Sequence, residues 1–231
     1  MLEIIPSINR NNWQEVEKDL KAIESFSEWV EIDVLDGSLS QKISWNSFDD
    51  LKNLKLTEPL KIAIHLMIKN PQSKIEVLIK LAIRRLIIQY EGLPKPFWDL
   101  ANNQENLIKD FAQICHNNWI EFGLSISPKT PIKKIIPFLK YLEVVQILAV
   151  PIGESGYGFD ETQIIKAQEL KELRDKNNLN YKIEWDGGIN LENIEKLQDK
   201  GIDFIASTSF IFNSQNPQLA LEALRRKALG L

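Results

Sequence analysis

The chain has 231 residues, 44% apolar and 26% charged, a globular balance with room for one large core or two small ones. A net charge of −4 argues against nucleic-acid or membrane-surface binding, which favour a basic surface, and the single cysteine, Cys115, excludes an internal disulfide or a multi-cysteine metal site. One cysteine fits a reducing cytoplasm, MLEIIPSINR lacks the pattern of a signal peptide, and no apolar run approaches the roughly 20 residues that span a bilayer.

Eight short apolar, β-branched runs are predicted strands. The first four are LEIIPSI (2–8), WVEIDV (29–34), LKIAIHLMI (60–68) and RLIIQY (85–90). WIEFGLSI (119–126), LEVVQILAV (142–150), YKIEWD (181–186) and DFIAST (203–208) complete the set. Each is followed by a segment with helical spacing. NWQEVEKDLKAIESF (12–26) places Val16, Leu20 and Ile23 on one stripe, whereas NSFDDLKNL (46–54) predicts only a short helix. NPQSKIEVLIKLA (70–82) opens with an Asn cap and a proline in the first turn. The longest loop is EGLPKPFWDLANNQ (91–104), and the neighbours of Cys115 predict a helix burying an inert thiol. LENIEKLQDKG (191–201) ends at Gly201 as a C-terminal cap, and NPQLALEALRRKAL (216–229) repeats the Asn-Pro opening. No Gly/Ser- or Pro-rich linker divides the chain, so a single domain over 1–231 is expected. Strand starts recur at roughly 20 to 40 residues, the size of a βα unit. Eight such units predict a (β/α)8 TIM barrel, with an open doubly wound sheet as the alternative.

Within WVEIDV, Glu31 and Asp33 are two apart and face one side of the strand. Two buried carboxylates demand compensation. Barrel chemistry sits at the C-terminal ends of the strands, where this sequence carries Ser7, Asp33, Asp36, His65, Glu91, Ser127, Asp186, Gly187, Gly188 and Ser209. Acids and one histidine converging there make a divalent-metal site; capped turns and a hydrogen-bonded core histidine are the plainer reading. DGGI (186–189), SGYG (155–158) and STSF (207–210) follow the seventh, sixth and eighth strands, where backbone N–H groups bind phosphate. Ordinary turn glycines are the competing explanation. Trp45, Trp98 and Trp119 lack an interleaved basic run and are assigned to core or loop packing.

Taken in order, these motifs resemble the ribulose-phosphate 3-epimerase family from residue 4 to about residue 213. IIPSIN carries the family's Pro-Ser-Ile, and EIDVLDG stands where the family has His-x-Asp-x-Met-Asp-Gly. HLM (65–67) and DGGI (186–189) are unchanged, and TSFIF (208–212) stands for Gly-Ser-x-Ile-Phe. The resemblance implies a barrel of the ribulose-phosphate-binding type and an isomerase of the pentose phosphate pathway that interconverts D-ribulose 5-phosphate and D-xylulose 5-phosphate. It places the two proton-transfer roles at C3, on opposite faces of an enediolate, on Asp33 and Asp186. It implies one divalent cation (Mn2+, Fe2+, Mg2+ or Zn2+) on Asp33, His65 and Asp186, with Glu31 at the position of a family histidine ligand. Ser7 then lies near the sugar hydroxyls, Gly187, Gly188 and Ser209 hold the phosphate, and Met67, Gly153 and Gly156 also contact substrate. The implied partner is a small sugar phosphate, and members of the family commonly form homo-oligomers.

The departures define the alternatives. Glu31 replaces a histidine, which makes the shell three carboxylates and one imidazole and shifts preference from Zn2+ toward Mn2+, Fe2+ or Mg2+. Leu35 and Leu148 replace methionines, Gln89 replaces a histidine after the fourth strand, Thr208 replaces a glycine, and PIGESGYGF (151–159) departs from the family's loop. A hexulose 6-phosphate epimerase or a decarboxylase on the same barrel, or a non-catalytic phosphate-ligand-binding homologue, are the other readings. EIDVLD lacks the Asp-x-Lys-x-x-Asp lysine of the decarboxylases.

Overall fold

In the structure, a computed structural model, residues 2–94, 101–154, 156 and 158–231 are described. The eight strands are β1 (Glu3–Ile8), β2 (Trp29–Val34), β3 (Lys61–Leu66), β4 (Arg85–Gln89), β5 (Glu121–Ile126), β6 (Val144–Leu148), β7 (Lys182–Asp186) and β8 (Phe204–Ser207). They pair in parallel in sequence order, and β8 returns to β1 to close the barrel, which excludes the open sheet.

Alternation along each strand sorts the side chains to two faces. Outward residues such as Val30, Ile32, Ile64, Leu86, Ile88, Leu124, Ile147 and Ile183 join the largest apolar cluster beneath the helices. Toward the N-terminal end the interior holds an apolar layer of Ile5, Trp29 and Ala63 with Phe204, and buried Ile87 and Val144 also face inward by the same alternation. The buried polar side chains on the inward face are Ser7, Glu31, Arg85, Gln89, Ser125, Gln146 and Glu184.

The helices are α1 (Trp13–Ile23), α2 (Gln72–Leu78), α3 (Ala101–Asn117), α4 (Ile164–Asn177), α5 (Ser209–Phe212) and α6 (Pro217–Ala228). Asn12 and Asn216 cap α1 and α6 by accepting from the N–H of Glu15 at 3.0 Å and of Leu219 at 3.1 Å. The predicted Asn70 cap does not form, because Asn70 sits at φ 51° and Pro71 precedes α2 without a side-chain cap.

Three connections carry only 3-10 turns: Phe48–Asn53 after β2, Ile132–Lys134 and Ile136–Tyr141 after β5, and Ile194–Leu197 after β7. After β5, Pro131 and Pro137 cannot donate to a helical ladder. The helix predicted over 191–201 gives way to side-chain competition. Asn193 accepts from the Asn190 N–H at 2.9 Å and donates to the Gly188 carbonyl at 2.7 Å, while Asn190 accepts from the Glu192 N–H at 2.8 Å. No helix of the described residues is long and apolar enough to cross a membrane.

Candidate functional site

The polar interior is built from the N-terminal end of the barrel upward. Arg85 lies between two aromatic faces, its guanidinium carbon 4.1 Å from the Trp29 ring centre and 4.8 Å from that of Phe204. Its Nε and Nη2 are each 2.8 Å from Glu121 Oε2, and its Nη1 is 3.7 Å from Glu184 Oε2. Glu184 is wholly buried, and neither of its oxygens nor Arg85 Nη1 has a hydrogen-bond partner. Burial raises the Glu184 pKa, against the opposing pull of Arg85.

One layer higher, adjacent strands bring four side chains together. Asp33 on β2 is in register with His65 on β3, and Glu31 lies two residues below Asp33 on the same face. Asp186 ends β7, reached from β2 around the wall through β1 and β8. One ligand atom from each of Glu31, Asp33, His65 and Asp186 lies within 4.8 Å of all the others, and all four residues are buried. Ser7 Oγ donates to Asp33 Oδ2 at 3.3 Å. His65 Nδ1 is 3.2 Å from Asp33 Oδ1 and 3.9 Å from Asp186 Oδ2. The Gln146 amide donates to both Glu31 oxygens, at 2.9 and 3.1 Å.

These carboxylates crowd one another. Burial, then the charges of Glu184, Asp33 and Asp186, push Glu31 well above the usual carboxylate range. Burial and then the Asp33 charge do the same to Asp186. Burial pulls His65 down, but the hydrogen bond and charge of Asp33 and the charge of Asp186 outweigh it and raise the ring. The cluster is short of positive charge, and its donor set of three carboxylates and one imidazole fits a hard or borderline divalent cation.

A pH dependence follows from the signs. Glu31 and Asp186 bind protons more tightly folded than unfolded, so their contribution to stability is complete below the ordinary values of 4.5 and 3.8 and is lost as pH rises through the raised folded values. His65, raised from 6.5, acts in the same direction. The metal-free protein is expected to lose thermal stability as pH rises above the ordinary carboxylate range, and saturating Mn2+ to restore more of it at the higher pH. Melting curves with and without the cation check this; a stabilisation independent of pH contradicts it.

Above the cluster a narrow cleft opens at the C-terminal ends of the strands. Asp33, Met67, Gly153, Gly156, Asp186, Gly187, Gly188 and Ser209 all line it, while Ser7 is buried against Asp33. Gly188 has φ +73°, and a Cβ there would lie 2.8 Å from Phe159 Cα, so the backbone is bare for steric reasons. No Lys or Arg of the described residues lines the cleft; its polar lining is Asn9, Ser207, Thr208 and Ser209 with the acidic Asp33, Glu154 and Asp186. Glu154, also in the lining, pairs with Lys42 and joins the loops after β2 and β6.

Other sequence expectations fall elsewhere. Asp36 is exposed and accepts from the Ser38 N–H at 2.9 Å, so it caps its own turn. Trp45 is buried against Trp13 and Phe48. Trp119, assigned to packing, is instead 86% exposed at the turn into β5, held out by a φ of 59°. Trp98 lies outside the described residues, as do Ser155 and Tyr157 of SGYG. Burial pushes the Cys115 thiol up to about 12, so it is no nucleophile. Sequence reasoning missed Arg85, Gln146 and Glu184. The same-face rule that pairs Glu31 with Asp33 also pairs Glu184 with Asp186, and was the available signal.

Comparison with known proteins gives a consistent result. The model of the ribulose-phosphate 3 epimerase family matches residues 3–212. The ribulose-phosphate 3-epimerase of Schizosaccharomyces pombe is 24% identical over 230 residues, 98% of this chain and 94% of the relative. That of Aquifex aeolicus is 28% identical over 229 residues, 99% of this chain and 96% of the relative. Among solved structures, 3-keto-L-gulonate-6-phosphate decarboxylase from Vibrio cholerae superposes with a TM-score of 0.73 at 10% identity, covering 99% of this chain and 97% of that one. At that identity the likeness shows the fold.

Proposed function

The chain belongs to the ribulose-phosphate 3 epimerase family, and from that premise we propose that it interconverts D-ribulose 5-phosphate and D-xylulose 5-phosphate, with Asp33 and Asp186 as the proton carriers at C3. The observation that carries this is the meeting of both aspartates in one cleft with Glu31 and His65, their ligand atoms within 4.8 Å of one another. Glu31, Asp33, His65 and Asp186 would hold a divalent cation, which would supply positive charge against the negative charge that develops on the substrate's oxygens.

The chain's own residues divide the work. Asp33 and Asp186 approach the cleft from β2 and β7, separated by β1 and β8, so a planar intermediate between them is open to proton transfer on both faces. One carboxylate takes the proton and the other returns one to the opposite side, inverting C3. Ser7, donating to Asp33, steers that carboxylate and sits near the sugar hydroxyls. Gly187, Gly188 and Ser209 receive the phosphate, and Met67, Gly153 and Gly156 close the walls.

Metal reconstitution tests this reading. Chelated protein is expected to lose epimerase activity, and Mn2+, Fe2+ or Mg2+ to restore it better than Zn2+. Glu31→His, which replaces a hard anionic donor by a neutral nitrogen, is expected to shift the preference toward Zn2+. Purified protein that contains no divalent metal and is activated by none contradicts the metal assignment.

A further inference from the structure

Beside His65, at the C-terminal ends of β4 and β5, a chain of hydrogen bonds leads away from the cluster. The Glu91 carboxylate accepts from the Ser127 N–H at 2.9 Å, from the Thr130 hydroxyl and from Gln89 Nε2 at 2.5 Å. Burial raises Glu91, but these donors outweigh it and bring the group below its usual range, so it is a carboxylate that only accepts. Gln89 must therefore turn its N–H toward Glu91 and its oxygen toward His65, and Gln89 Oε1 lies 3.0 Å from His65 Nε2. An amide oxygen also only accepts, so the proton of a neutral ring sits on Nε2. The lone pair is left on Nδ1, facing Asp33 Oδ1 at 3.2 Å and Asp186 Oδ2 at 3.9 Å. A divalent cation between Nδ1 and the two carboxylates would satisfy that lone pair.

We infer that Gln89 and Glu91 are positioning residues that lock the His65 tautomer and present Nδ1 to the cation. This rests on the metal site proposed above. It gives a purpose to two side chains that do not line the cleft, and it explains why a glutamine serves beside the histidine: its amide passes the polarity of Glu91 to His65 without adding a charge. Ligating histidines characteristically donate their second N–H to such an acceptor, and loss of that partner costs about 10–100-fold in metal affinity.

The test uses the whole protein, with Zn2+ affinity read by competition with a chelator. Gln89→Leu removes the acceptor. Glu91→Gln frees the Gln89 amide to flip and makes the Nδ1–H tautomer available. Both are expected to lose about 10–100-fold in affinity. The double variant Gln89→Glu/Glu91→Gln reverses the donor and acceptor between positions 89 and 91 while keeping an acceptor under Nε2, and is expected to recover most of the loss. A merely structural role would not produce that recovery. Imidazole 15N spectra of the Zn2+-loaded wild type are expected to show His65 protonated at Nε2 and metal-bound at Nδ1. Single variants that bind as tightly as wild type, a double variant that recovers nothing, or a ring metal-bound at Nε2 overturn the relay alone. A wild-type protein that binds no divalent metal overturns the metal reading and this inference together.

Discussion

Asp186→Asn is expected to lower turnover by about 10²–10⁴-fold, the range for losing a positioned acid–base group, while sugar-phosphate binding stays largely intact. Asparagine keeps the shape and one oxygen of the side chain but can neither take nor return a proton. The effect should fall on kcat rather than KM, because the proposed phosphate contacts are with Gly187, Gly188 and Ser209 instead. Asp186 is also a proposed metal ligand, so two losses must be separated. If the variant fails only through weakened metal binding, excess cation restores its rate. The account predicts that metal-saturated Asp186→Asn remains inactive, as read by the epimerase assay with metal content measured alongside. Normal turnover in the saturated variant sinks the acid–base assignment.

The second large effect is on stability. Arg85 is 2% exposed, stacked between Trp29 and Phe204, and its Nη1 is 3.7 Å from the fully buried Glu184. Arg85→Met leaves that carboxyl without a counter-charge and is expected to cost about 3–5 kcal/mol, roughly 6–20 °C in Tm for a chain of this size. The double variant Arg85→Met/Glu184→Met removes the stranded acid as well and is expected to recover most of the loss, as replacement of a whole buried pair by apolar groups does. Thermal unfolding of the single and double variants decides it; equal losses in both mean that Arg85 matters for packing against the two rings, not for its charge. The pair also bears on the site. Arg85 is the positive charge that opposes the raising of Glu31.

Much of this architecture was legible locally. Eight short apolar runs predicted the strands, and their spacing favoured a barrel with the open sheet as the alternative. Period two placed Glu31 and Asp33 on one face, and both are buried in the interior. What local pattern could not give was closure. Gln146 reaches Glu31 across 115 residues of sequence, and that meeting depends on the register of five strands rather than on any neighbour in the chain. Arg85 was hidden for the same reason: its partners Trp29, Glu121, Glu184 and Phe204 come from four other strands. The segment over 191–201 misled because its apolar spacing is helical while Asn190 and Asn193 spend their side chains on nearby backbone groups. Glu31 reads differently once its surroundings are known. It stands over a buried polar column of Gln146, Glu184 and Arg85, in which the Gln146 amide donates to both its oxygens and the Arg85 charge opposes the crowding by Glu184.

The central claim is that two aspartates move a proton at C3 of a sugar phosphate. Incubation of metal-loaded protein with D-ribulose 5-phosphate in D2O, followed by NMR at C3, tests it most directly. The account predicts deuterium at C3 together with accumulation of D-xylulose 5-phosphate. No exchange at C3 with any divalent metal would contradict it.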